Sequence, residues 1–170
     1  MALLTQIAFG EPVMSAPTKA RRTVSYASLQ EIADDAQRLH AAGAPTTGNW
    51  SQGQIYDHLA RLMDGSLDGF DFTAAWPLRK ISKWIFKPLI FKKGMPAGFK
   101  LKGDAGRVLL PDPVADQAGL DHLLQAIHRL QNESQRHPSP VLEELTREEW
   151  DLLHRRHAEL HMSFIAEPEA

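Results

Sequence analysis

The sequence predicts an all-α fold: a bundle of four helices with a long insert between the second and the third. Three observations carry this expectation. Four segments repeat apolar residues at spacings of three and four, the period of a helix with one buried face. Three of the four open on Ser or Thr with Glu or Gln three residues later, the sequence form of a capping box. No segment shows the strict alternation of a half-buried strand.

The first helix opens at Ser28 with Ser28-Leu-Gln-Glu31, carries Leu29, Ile32, Ala33, Ala36 and Leu39 on one stripe, and stops at Gly43 before Pro45. The second opens at Ser51 with Ser51-Gln-Gly-Gln54, carries Ile55, Leu59, Leu62 and Met63, and is expected to end near Gly65. The third starts around Asp116, with Leu120, Leu123, Leu124, Ile127 and Leu130, and ends before His137-Pro138. The fourth opens with Thr146-Arg-Glu-Glu149 and runs to about Ile165, its stripe holding Trp150, Leu153, Leu160 and Phe164. Four such helices bury their stripes only against one another, which makes a bundle.

The insert spans about residues 66–115. Trp76 to Lys93 is expected to be helical and broken at Pro88, and Gly94 to Pro113 to be irregular. Arg79, Lys80, Lys83, Lys87, Lys92, Lys93, Lys100 and Lys102 occur here with no acid between Asp71 and Asp104. Trp76, Ile81, Trp84, Ile85, Phe86 and Phe91 are interleaved with them. A basic amphipathic helix can lie on an anionic membrane. A domain of this size needs the apolar area, however, so the expectation is a fifth helix packed on the bundle with its lysines solvated, and no membrane partner.

At 170 residues, 43% hydrophobic and 24% charged, the chain suits one soluble domain with a substantial core. Residues 1–22 lack periodicity and are expected to be a mobile extension, with the bundle domain at 23–166. The apolar start has no basic region before it, and Arg21-Arg22 is followed by polar residues, so neither secretion signal fits and the expected compartment is the cytoplasm. A net charge of −2 gives no reason to expect nucleic acid. The absence of cysteine excludes disulfides, thiolate ligands and a cysteine nucleophile, so thiol chemistry would need a thiol from outside.

The 8 histidines are the unusual feature. On the fourth helix His154, His157 and His161 fall within the arc of Trp150, Leu153 and Phe164, so all three point inward, where a polar group needs a partner. His154 and His161 are separated by roughly 10 Å of helix rise. That is too far for both to reach one ion with bonds of about 2 Å. The pair is therefore His154/His157 or His157/His161, and His157 belongs to both. On the second helix His58 lies beside Ile55, Leu59 and Leu62 and also points inward. His40 is accounted for by the helix dipole, and His122, His128 and His137 lie off the stripe, at its edge and in a loop. Imidazoles gathered in a core suit zinc, nickel or iron.

The run Asn49-Trp50-Ser51-Gln-Gly-Gln54-Ile55-Tyr-Asp-His58-Leu59-Ala60 resembles the start of the second helix in the DinB/YfiT-like superfamily, and His157-Ala-Glu-Leu-His161 resembles that superfamily's last bundle helix. The resemblance extends over residues 23–165, and Arg22-Thr-Val-Ser, Gly98-Phe-Lys100 and Leu145-Thr-Arg-Glu-Glu-Trp150 resemble an uncharacterised branch of it. It implies a DinB-like four-helix bundle and a divalent metal held by His58, His157 and His161. His154 then stands behind these ligands or substitutes for one of them. The superfamily it resembles includes thiol-dependent transferases and isomerases that use low-molecular-weight thiols, and an ion on three imidazoles activates bound water or thiol. The expectation is therefore a metal-dependent hydrolase or thiol-dependent transferase acting on a small molecule, with a low-molecular-weight thiol as a candidate partner, in a bundle of a kind that commonly forms a homodimer. The alternative is a non-catalytic metal-binding or interaction module. No general base can be named, because Asp57 and Asp64 face away from the His58 stripe.

Overall fold

The computed structural model describes residues 21–97, 110 and 112–168. Among these residues the chain forms α1 (Leu29–Ala41), α2 (Gln52–Asp68), α3 (Trp76–Ile81), a π-turn (Ser82–Phe86), α4 (Lys87–Lys93), α5 (Asp116–Asn132) and α6 (Arg147–Met162), with no strand longer than an isolated bridge. The bundle consists of α1, α2, α5 and α6, and α3–α4 is the inserted helix.

Three of the four bundle helices start where their cap chemistry directs, while α5 follows Ala115 without a side-chain cap. Both capping boxes at Ser51/Gln54 and Thr146/Glu149 are reciprocal, with side chain and backbone exchanged in each. At α1 the box is offset: Ser28 accepts from the Glu31 N–H, while the Glu31 carboxylate reaches back one residue further, to the Ala27 N–H at 2.8 Å. α2 continues past Gly65, where the sequence suggested an end. Phe70 lies where a Gly65 Cβ would sit, and the stop comes at Gly69, whose φ of +95° suits glycine.

α2 and α5 make the closest approach in the bundle. A Cβ on Gly119 would collide with the Gly53 backbone, so both glycines are needed for the helices to touch there. Asp116 crosses the same junction and accepts the Gly53 N–H at 2.7 Å, satisfying a free donor at the start of α2. Ile32, Leu39, Ile55, Tyr56, Leu59, Met63, Leu123, Ile127, Leu130, Met162 and Ile165 are almost completely buried in this core. A second, smaller cluster of Leu142, Leu145, Trp150 and Leu153 receives Phe70, Ile90, Phe91 and Met95.

Most of the expected extension, residues 1–20, lies outside the described residues, as do 98–109 and 111 of the stretch expected to be irregular. Arg21 and Arg22 are described, and both are docked. Arg22 donates to the Ile165 carbonyl at 2.7 Å and pairs with Asp35 at 2.7 Å, and Arg21 donates to Ser163 Oγ at 2.6 Å.

The inserted helix differs from expectation in two ways. It is not broken at Pro88. The turn before the proline widens, with the Lys87 N–H bonding to Ser82 O five residues back, and this accommodates the ring and the missing N–H. Its orientation is also reversed. Ser82 is buried against the bundle, Lys80 and Lys83 reach Glu143, and Lys87 reaches Glu149 at 2.5 Å. Trp76, Leu78, Ile81, Trp84, Ile85, Phe86 and Leu89 are exposed instead. Only the last turn, Ile90 and Phe91, packs as an apolar face should.

Candidate metal centre

His58 lies in the second turn of α2, and His157 and His161 lie four residues apart in the last two turns of α6. The Ser51 box fixes where α2 begins, and the Gly53–Asp116 junction fixes how it sits against α5. The single Tyr56 hydroxyl proton is shared between Gln52 Oε1 at 2.9 Å and the Ala36 carbonyl at 3.2 Å, tying α2 to α1. The end of α6 is held by Thr47, whose N–H donates to the Phe164 carbonyl at 2.7 Å, and by Arg22.

These constraints bring one ring nitrogen from each of His58, His157 and His161 to within 4.8 Å of one another. His58 Nε2 and His157 Nε2 are 3.0 Å apart. The three rings meet nearly edge to face, with centroids 4.5, 4.6 and 4.8 Å apart. Tetrahedral coordination with bonds of about 2.0–2.1 Å puts ligand nitrogens about 3.3 Å from each other. His58 and His157 already lie near that spacing, and the remaining gaps, up to about 1.5 Å, are of the size that side-chain torsions can close. The donor set fits a divalent ion such as zinc, nickel or iron.

The electrostatics agree. His58 and His157 are buried and His161 is partly so. Burial first, then the neighbouring imidazoles of His161, His58 and His154, hold His157 well below its ordinary pKa. Burial, with His58 and Arg21, pushes His161 down to about 3. Both rings are therefore neutral across the physiological range, the form in which imidazole offers a lone pair. The short His58–His157 contact requires one ring to donate N–H and the other to accept.

Trp50 belongs to the site in a way its place beside the helix cap did not reveal. Its ring stacks on His161 at 5.4 Å and 10°, and meets His58 edge-on at 4.9 Å. It thus braces a histidine from each of the two helices. The sequence signal was its place in the run from Asn49 to Ala60 that carries the resemblance, eight residues before His58, which does not tell what the ring touches.

His154 is not part of the cluster. It is fully buried, its Nε2 is 3.1 Å from Ser66 Oγ, and its ring stacks on Trp150 at 5.2 Å. Burial, with Arg136 nearby, pushes its pKa down to about 3, and its Nδ1 has no hydrogen-bond partner. Of the two pairs that spacing allows on α6, the fold brings His157/His161 to His58. His40 contacts Gln117, His128 is exposed, and the His137 backbone joins Ser66 and Trp150. His122 lies between Asp57 and Asp64, with a ring nitrogen 2.8 Å from each. Asp57 also accepts from Arg61 at 2.6 Å, so it is turned from the imidazole cluster into an ionic network.

No helix among the described residues is long and apolar enough to cross a membrane. No curated protein and no solved structure matches the chain. Residues 18–168 match the family described as a protein of unknown function, DUF1569, and include every histidine of the cluster, the inserted helix and all four bundle helices. The chain belongs to the DUF1569 family.

Proposed function

We propose that His58, His157 and His161 hold one divalent metal ion, and that the protein is a DinB-like metal-dependent hydrolase or thiol-dependent transferase acting on a small molecule. The observation that carries this is the convergence of three buried imidazole nitrogens, one from α2 and two from α6, within 4.8 Å. Three neutral ligands leave a divalent ion its full charge and an open position, which lowers the pKa of a bound water or thiol.

The chain's own residues supply the rest. Burial keeps His157 and His161 unprotonated, Trp50 restrains two of the rings, and the caps of α2 and α6 fix where each helix begins. With no cysteine in the sequence, a thiol nucleophile would be a low-molecular-weight cosubstrate. One observation favours a second reading, a non-catalytic metal-binding or interaction module: among the described residues, no carboxylate joins the cluster to act as a base.

Elemental analysis of tag-free protein beside His157→Ala is the first test. About one equivalent of zinc, nickel or iron in the wild type, lost in the variant, is the expected result for one three-ligand site. Absence of metal in both after reconstitution would refute the site. With metal present, metal-dependent turnover or binding of a small thiol supports the enzyme, and their absence supports the module.

A further inference from the structure

We propose that the outer face of the α3–α4 helix docks on an anionic lipid surface. The observation is the reversal of this amphipathic helix. A helix against a bundle normally turns its apolar stripe inward. Here Ser82 is 1% exposed while Trp76 and Trp84 are 66% and 76% exposed. The half-buried Lys83 and Lys87 are met by Glu143 and Glu149, so the orientation is stabilised from the bundle side. Seven large apolar side chains along one helix are left facing water. At on the order of 200 Å² per full side chain, their exposed fractions amount to on the order of 700 Å². A typical monomer carries a largest apolar patch of about 300–600 Å².

Charge selects the occupant. The sequence from 72 to 103 contains eight Lys and Arg residues and no acid, in a chain whose net charge is −2. Lys92 and Lys93 are exposed at the end of the apolar face, and Lys80 is 57% exposed along its side. Tryptophan on the apolar face with lysine at its margin is the composition that places a helix in the headgroup layer of an anionic bilayer. A second copy of this face would bring lysine margins against each other, a repulsive arrangement. The helix lies flat rather than spanning, since with its π-turn it is only 18 residues and interrupted by prolines and lysines.

The test is flotation of the tag-free full chain with phosphatidylcholine vesicles, with and without phosphatidylserine, at low and high salt. The expected result is binding to the phosphatidylserine vesicles at low salt, weakened by salt, with tryptophan emission shifted to the blue. Trp84→Ser/Ile85→Ser removes two exposed side chains, so the fold persists, and binding falls at least about tenfold. Lys92→Glu/Lys93→Glu abolishes the preference for phosphatidylserine. Failure to float with anionic vesicles at low salt overturns the proposal. So does undiminished binding by Trp84→Ser/Ile85→Ser. A homodimer in sedimentation equilibrium that this same variant dissociates would show that a second copy covers the face, and would also overturn it.

Discussion

Removing the His157 side chain separates a metal-holding cluster from a packed histidine core. Apparent zinc-binding energies of about 10–16 kcal/mol for four-ligand sites correspond to roughly 3 kcal/mol per ligand. Loss of one ligand should therefore weaken binding by about a hundredfold. At a metal concentration a hundredfold above the dissociation constant, the ion stabilises the wild type by about 2.7 kcal/mol. For a chain of this size that raises the melting temperature by about 5–10 °C. In His157→Ala the same metal concentration merely equals the weakened constant, and the gain falls to about 1 °C. The assay is thermal melting with and without chelator, compared within each variant. This matters because deleting a buried imidazole alters stability by itself. His154→Phe is the control, since His154 is buried on the same helix but directed at Ser66. It should keep the full metal-dependent shift. A wild-type melting temperature indifferent to metal and chelator, or loss of the shift in His154→Phe while His157→Ala retains it, would refute the assignment.

Other consequences follow from the bundle. Gly119→Ala should destabilise the protein by about 1–3 kcal/mol in urea denaturation, although alanine is the better helix former, because its Cβ collides with the Gly53 backbone. Asp35→Ala should cost about 1–3 kcal/mol, since it takes the bidentate partner from the half-buried Arg22, which keeps Glu167, and an acceptor at 2.6 Å from Tyr26; the denaturation midpoint reads this. His122 is held above its ordinary pKa of 6.5 by its bond to Asp64, with burial opposing and Asp57 adding to the rise. Its stabilising charge is fully present below pH 6.5 and is lost as pH rises through the higher folded value. Wild-type stability should therefore fall relative to His122→Gln on moving from mildly acidic to mildly alkaline pH, and parallel curves for the two proteins would contradict the network.

Much of this was legible because helices announce themselves locally. Ser51 with Gln54 and Thr146 with Glu149 set the starts of α2 and α6, and the apolar stripes set their inward faces. Once those faces were known, the inward direction of His58, His157 and His161 followed from a rotation of about 100° per residue. The end of α2 was misread because Gly65 resembles a terminator, whereas its missing Cβ makes room for Phe70. The bracing by Trp50 left no periodic signal, because the residue precedes the helix and its target lies more than a hundred positions away.

The sequence by itself determined the all-α class, the four bundle helices and which histidines turn into the core, since each depends on contacts within a few residues. Helix spacing alone left two histidine pairs of α6 open, and the resemblance implied His157/His161. The tertiary structure brings that pair to His58, because the meeting depends on how far one helix slides along another. It also decided the facing of the inserted helix. Periodicity shows that such a helix has two faces, but the side turned inward is chosen by what waits across the gap. Here Glu143 and Glu149 receive its lysines, and the tryptophans are left outside.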